Sequence, residues 1–411
     1  MSNSPDTEAA HEAERLLADV LTGTSGSDPY SAYQWIRQHT PVLRIRNDTV
    51  VLTRFADVWD ALRHPGLGKP EQGFGTRRGE VPAGQADQAM ARWRRTILFA
   101  NPPEHTRLRR LLSDVFTPRH IEQLRAQVAA TVDQCLDRLD GQTGTDVIAA
   151  VALPLPAKVV ADLLGIPGSD YEDFAPLVRD LVDLFEPSAT ADSVARAINA
   201  QDTIGNYLAG LLAGKRRHPG PDLLSRLAAS RAADALDDTE MTAAAVMLFG
   251  AGFETTTNLI GNGLHALLTH PAQLAILRQQ PHLVPCAVEE FLRWDSPVQL
   301  TSRAAARPCV IAGAELSPGQ TVLTLLGAAN RDPARFTGPD RLDVTRDEGP
   351  ALSFGTGIHV CLGAHLARLE AAEFFTRLLR RFAHLQLAGT PRRRPGRSLR
   401  GFAELRLTAH M

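Results

Sequence analysis

Cysteine is scarce in this chain: Cys135, Cys286, Cys309 and Cys361 are scattered over 411 residues. That is too few and too dispersed for a disulfide framework, and the first three read as small buried hydrophobes. Long apolar runs are missing as well. The longest, Ala243 to Phe253, has 11 residues, against about 20 for a bilayer-spanning helix. Met1 to Leu17 is polar and acidic, without the apolar stretch of a signal peptide. A cytoplasmic protein without membrane association is therefore expected. Net charge is also small: 44 Lys and Arg against 46 Asp and Glu leave −2. Nothing draws such a chain to nucleic acid or to an anionic membrane, so a small-molecule substrate is expected. No internal repeat or Pro/Gly/Ser-rich linker divides the sequence, and residues 1–411 read as one domain.

Most of the chain is rich in Ala, Leu, Arg and Glu, with apolar residues at three- and four-residue spacing, which predicts helix. Alternating runs from Pro41 to Arg54 flank Asn47-Asp48 and predict a β-hairpin. Further short strands are expected around Val310–Ile311, Thr321–Leu325 and Glu404–Leu407, giving a mainly α (α+β) fold with a small β-rich region. The glycine-rich stretch from Gly66 to Gln85 has no sustained period, and loops of that length are often substrate lids. N-cap candidates at Asp237-Asp238-Thr239 and a stop at Pro271 bound a helix of about 30 residues, roughly 45 Å long, enough to cross a domain. Inside it, Ala251-Gly-Phe-Glu-Thr-Thr-Thr257 is a poor helical sequence. Its threonine hydroxyls compete for carbonyls one turn back, so a local distortion marking a functional site is expected.

The chemistry concentrates on Cys361, in Ser353-Phe-Gly-Thr-Gly-Ile-His-Val-Cys-Leu-Gly-Ala-His-Leu-Ala-Arg368. Gly355 and Gly357 permit dihedrals barred to other residues, so the loop can curl beneath the sulfur. Gly363 leaves room for a flat macrocycle. Leu362 to Phe382 predicts a helix, whose N-terminal N–H groups and positive dipole end favour an ionised thiolate. Backbone donors near the sulfur would also moderate its donation to a haem iron. Two other readings stand beside this one. His359, Cys361 and His365 could be zinc ligands, although no neighbour supplies an obvious fourth. Cys361 could instead be a nucleophile with His359 as its base.

Phe354-Gly-Thr-Gly-Ile-His-Val-Cys-Leu-Gly363 resembles the haem-binding signature of the cytochrome P450 family, with every usual fixed position filled, and Leu366-Ala-Arg-Leu-Glu370 resembles its bacterial members. Four further motifs in the family's order extend the resemblance over essentially the whole chain. Glu290-Phe-Leu-Arg293 resembles the Glu-x-x-Arg helix. Glu289 is also spaced to pair with Arg293, and only the family pattern chooses Glu290. Arg341, in Pro339-Asp-Arg-Leu342, matches the third member of that structural network, with Leu342 where phenylalanine is usual. Ala251 to Thr255 resembles the oxygen-activating segment, with Glu254 and Thr255 as its acid–alcohol pair. Asn101 to Arg109 resembles the stretch whose His105 and Arg109 bind haem propionates, and Arg303 and His359 match two further propionate contacts.

The resemblance implies the P450 fold, with haem b held between the long central helix and the Cys-loop helix. Cys361 would be the iron ligand, and Phe354, Gly355 and Gly363 would frame the cofactor. It implies a monooxygenase that puts one atom of O2 into substrate by hydroxylation or epoxidation. Glu254 and Thr255 would deliver protons. Electrons would come from NAD(P)H through a separate ferredoxin and ferredoxin reductase, because the chain carries no flavin or iron–sulfur module of its own. Arg107 and Arg110 are candidates for the docking face, and Arg392-Arg-Arg394 reads as a solvated turn. By family position, Phe249, Ala251, Phe253, Val298, Leu300 and Phe402 would line the substrate pocket. Their apolar character favours a bulky, mainly apolar substrate, such as a polyketide, terpenoid or modified peptide of secondary metabolism or antibiotic biosynthesis, acted on by a monomer. A peroxide-driven haem peroxygenase and a non-catalytic, partner-recruiting haem protein are the alternatives.

Overall fold

The computed structural model describes residues 5–23, 28–45, 49–70, 82–139, 143–168, 170–187, 189–229 and 235–411. Its organising element is the central helix, Asp238–Thr269, of 32 residues, about 48 Å at 1.5 Å per residue. A capping box starts it: the Asp237 carboxylate accepts the Glu240 N–H at 2.7 Å and Glu240 accepts the Asp237 N–H at 3.0 Å. Beyond its first turn the helix is apolar nearly all round, which suits an element with neighbours on every side. It packs against the helices Pro154–Leu164, Ala191–Arg217, Val284–Trp294 and Ala364–Arg381. Gly263 makes one of these approaches possible, since a Cβ there would lie 2.7 Å from the Phe291 ring and 2.8 Å from Phe375.

The expected distortion does not interrupt the helix. The helix runs unbroken through residues 251–257. The Thr255 hydroxyl donates to the Ala251 carbonyl at 2.8 Å, and that of Thr257 donates to Phe253 at 3.0 Å and to Ala152 at 2.9 Å. A carbonyl oxygen has two lone pairs, so it can accept a hydroxyl while keeping its helical N–H.

The β part lies mainly in a five-stranded sheet with the order Val42–Ile45, Thr49–Leu52, Thr321–Thr324, Thr301–Ala305, Leu67–Gly68. Val42 pairs antiparallel with Leu52, as the hairpin reading requires, although the turn at 46–48 lies outside the described residues. Thr49–Leu52 then pairs parallel with Thr321–Thr324. Cys309–Ile311 forms its own hairpin with Ala314–Leu316. Two strands, Phe402–Glu404 and Arg406–His410, stand where one was expected, and each joins a different small sheet. The stretch read as a lid is only partly described: Leu67–Gly68 is a strand and the helix Ala83–Trp93 contains Gln85, while 71–81 lie outside the described residues. Among the described residues the four cysteines are free, and no helix is long and apolar enough to cross a membrane.

Candidate active site

Cys361 stands one residue-pair ahead of the helix Ala364–Arg381, whose N-cap is Gly363. Gly355 and Gly357 take φ of +65° and +74°, and a Cβ on Gly357 would lie 2.6 Å from the Leu62 carbonyl oxygen. The loop therefore needs glycine there for both reasons. The Cys361 N–H closes the loop on the Phe354 carbonyl at 2.9 Å. Around the sulfur, the packed protein raises the thiol pKa, while the Gly363 N–H and the charges of Arg109 and Arg368 pull it down. Arg368 spans the Phe354 ring at 4.5 Å and pairs with Glu289. That leaves Glu290 to Arg293.

A large cavity separates this loop from the central helix. Ala251, Gly252 and Thr255 line one side, and Phe354, Gly355, Cys361 and Gly363 line the other. Basic groups gather at its edge. Arg109 donates to the Val360 carbonyl at 2.6 Å, and buried Arg303 donates to the Ser302 carbonyl at 2.8 Å. Burial pushes the Arg303 guanidinium down to about 10. The His105 and His359 rings pack at 4.2 Å, and the Nε2 atom of each is buried without a partner. Burial, then the charges of Lys69 and Arg303, press His359 down to about 2. Among the described residues, the only acidic side chain lining the cavity is Glu370. Buried cations without an anion and buried imidazole nitrogens without a partner are costly. The edge therefore fits a flat ligand that brings two carboxylates of its own.

The zinc reading finds no cage, since no group of three His, Cys, Asp or Glu side chains gathers to hold a metal ion among the described residues. The nucleophile reading loses its base, because His359 packs against His105 and is held far from neutral pH.

Several expected site residues lie elsewhere. Ala251, Val298 and Leu300 line the cavity or the chamber opening from it. Phe249 and Phe253 do not. They stack on each other at 6.4 Å, and Phe249 meets Phe174 at 6.0 Å. Each residue turns a helix by about 100°, so positions two away from Ala251 and Thr255 point to the opposite side. Phe402 packs instead on His265 at 4.8 Å, under the Arg393 guanidinium at 3.8 Å. Glu254 also misses the cavity: it is buried behind the helix in an ion pair with Arg394, and its Oε2 has no partner. Burial raises its carboxyl despite Arg394. The arginine run is thus not a solvated turn as a whole. Arg392 is exposed, but Arg393 pairs with Asp295 at 2.7 Å and Arg394 reaches Glu254. Arg107 is likewise taken up by Glu104 and Glu240.

The structural network changes membership. Glu290 and Arg293 form a bidentate buried pair at 2.7 and 2.8 Å. Among the described residues the Arg341 side chain, 73% exposed, pairs only with Asp343 at 3.1 Å, and what it gives the network is its carbonyl, which accepts from Arg293 at 3.2 Å. The third charge is Arg346, 6% exposed, whose Nε meets Glu290 Oε2 at 3.1 Å. Spacing gave no sign of it, because no short-range pattern ties residue 346 to residue 290.

Comparison with known proteins decides the family. The cytochrome P450 family model matches residues 75–403. The chain belongs to that family. Over 379 residues it is 40% identical to cytochrome P450 107B1 of Saccharopolyspora erythraea, covering 89% of this chain and 90% of the relative. It is 39% identical over 377 residues to the vitamin D(3) 25-hydroxylase of Pseudonocardia autotrophica, covering 90% of each. Among solved structures, P450BioI in complex with acyl carrier protein ligated to hexadec-9Z-enoic acid superposes with a TM-score of 0.87 and 34% identity, over 93% of this chain and 98% of that one. The protein is therefore a cytochrome P450 monooxygenase, of a family that uses haem and O2 and draws electrons from redox partners.

Glu370 is a feature of this P450 that its motif did not single out for chemistry. Its carboxyl is fully buried, its Oε2 has no partner, and burial pushes it from 4.5 up to about 8. Between those values the folded protein holds a proton that the unfolded chain releases, so stability falls as pH rises through that window. The fall is at most about 1.4 kcal/mol per pH unit. Glu370→Gln is expected to flatten this slope in thermal unfolding measured across pH 5 to 8; an unchanged slope would assign it to another group.

Proposed function

We propose that this P450 holds haem b through Cys361 and inserts one atom of O2 into a bulky, mainly apolar small molecule, in secondary metabolism. The observation that carries the reading is the cavity with Cys361 on one side, Thr255 on the other and uncompensated basic groups at its edge. Bound haem supplies iron-centred reduction and activation of O2. Cys361 would ligate the iron, and Arg109, Arg303, His105 and His359 would receive the propionates as charge-assisted donors. The Gly363 N–H tempers the sulfur's donation. Thr255 lines the cavity with its hydroxyl donating to the Ala251 carbonyl, and it would deliver that proton by turning from the carbonyl into the cavity. Glu254, paired with Arg394 behind the helix, would have to leave that pair to resupply the hydroxyl. Electrons would arrive from a ferredoxin and its reductase.

Thr255→Ala is expected to leave haem incorporation intact while diverting most reducing equivalents into peroxide or water. The ratio of product to NAD(P)H consumed, measured with a surrogate ferredoxin system, checks it, and an unchanged ratio removes Thr255 from the relay. Turnover with peroxide alone at the rate of the full electron-transfer system would favour the peroxygenase alternative.

A further inference from the structure

A second chamber opens from the haem cavity. The two share Lys69, Leu98, Ala251, Thr255, Val298 and Thr301. Beyond them the chamber has aromatic walls: Phe185 meets Trp93 edge-on at 4.8 Å and stacks on Phe99 at 5.8 Å. Its polar groups are few and of one kind. No acidic side chain lines it among the described residues. The Thr255 hydroxyl is spent on Ala251, and that of Ser398 donates to the Phe185 carbonyl at 2.8 Å. Two donors remain. Among the described residues the Trp93 indole N–H has no partner, although the residue is only 2% exposed. The Lys69 ammonium meets, among the described residues, only the Phe99 ring, at 5.9 Å.

Lys69 is fixed at this junction by its backbone. Its N–H donates to Asn101 Oδ1 at 2.7 Å, and its carbonyl accepts from Asn101 Nδ2 at 3.1 Å. The residue is 7% exposed. On the reading above, Arg109 and Arg303 line the haem cavity alone and already match the charge of two propionates. Lys69 lines both spaces: its charge acts on His105 and His359 at the haem edge, and it also faces the chamber. A ring face is a weak counter-charge for a buried ammonium.

We infer that the substrate is an apolar molecule bearing a carboxylate, which Lys69 receives while the aromatic walls take the apolar body. Trp93 supplies a second donor for an acceptor on that body. This rests on the haem–thiolate reading of the larger cavity. Burial and the neighbouring Arg303 hold the Lys69 ammonium well below the ordinary lysine range, a state that a carboxylate ligand relieves. Cationic amines of the same size are disfavoured, since no acid waits for them.

The test is a spin-state titration of the purified holoenzyme with matched pairs: decanoic, phenylbutanoic and naphthylacetic acids beside their methyl esters. The acids are expected to bind at least about tenfold more tightly than the esters, the worth of one charge-assisted hydrogen bond in a dry site. Lys69→Met is expected to bring the two within about twofold while retaining the thiolate-type spectrum of the reduced carbon monoxide complex. Esters binding as tightly as acids, or no acid shifting the spectrum, overturns the inference on the wild type alone. Loss of haem in Lys69→Met also overturns it, by assigning Lys69 to a propionate. A wild type without the thiolate-type band fails the underlying reading instead.

Discussion

Cys361→Ser is expected to abolish the red-shifted absorption of the reduced carbon monoxide complex and to bring monooxygenation down to background. A serine hydroxyl fills the same loop position, so the glycine turns and the helix Ala364–Arg381 are expected to remain. What is lost is the ligand chemistry. Burial raises the Cys361 thiol here, yet a thiol is acidic enough to ionise on binding a cationic iron, whereas an alcohol stays protonated and donates weakly. The other cysteines provide the control. Cys135 is buried in the core, and Cys286 donates to the Arg346 carbonyl at 3.0 Å. Cys309 sits in a surface hairpin. Cys309→Ser is expected to leave the spectrum untouched. If the band survives in Cys361→Ser, the ligand is another residue.

A second large effect is expected where the structure and the motif part ways. Removing Arg293 leaves Glu290 as a buried carboxylate with its bidentate partner gone, which costs about 3–5 kcal/mol in comparable buried pairs. Arg346→Ala is expected to cost about 2–3 kcal/mol. It strips one charge-assisted bond from Glu290 and the donor that ties together the carbonyls of Thr337, Gly338 and Arg341 at 2.7, 3.3 and 3.2 Å. Arg341→Ala removes an exposed side chain and keeps the carbonyl, so a change below about 1 kcal/mol is expected. Denaturant unfolding of the three variants, with haem content measured in parallel, gives the order Arg293, Arg346, Arg341. An equal loss for Arg341 and Arg346 would restore the motif's assignment.

Both expectations separate what was legible in the chain from what was not. Local geometry was legible. Asp237 and Glu240 cap a helix within one turn of chain, Gly355 and Gly357 bend a loop in place, and Glu290 reaches Arg293 across one turn. Each of these depends on neighbours a few residues away. The hairpin of Val42–Ile45 with Thr49–Leu52 was legible for the same reason. Facing was harder. That the central helix turns Ala251 and Thr255 to the cavity, and Phe249 and Phe253 away from it, is set by packing against Phe174 and other distant residues. The apolar character shared by Phe249, Ala251 and Phe253 could not distinguish wall from core.

By itself, then, the sequence determined the fold class, the family, the cysteine loop and the helix that crosses above it, because these rest on composition, caps and short motifs. Only the tertiary structure decided which charges meet. It put Arg346 on Glu290, Arg394 on Glu254 and Lys69 between two cavities. Ion pairs across 56 or 140 residues of chain leave no periodic trace. A buried charge is settled by whichever partner the fold brings within reach, and that is a property of the packed molecule.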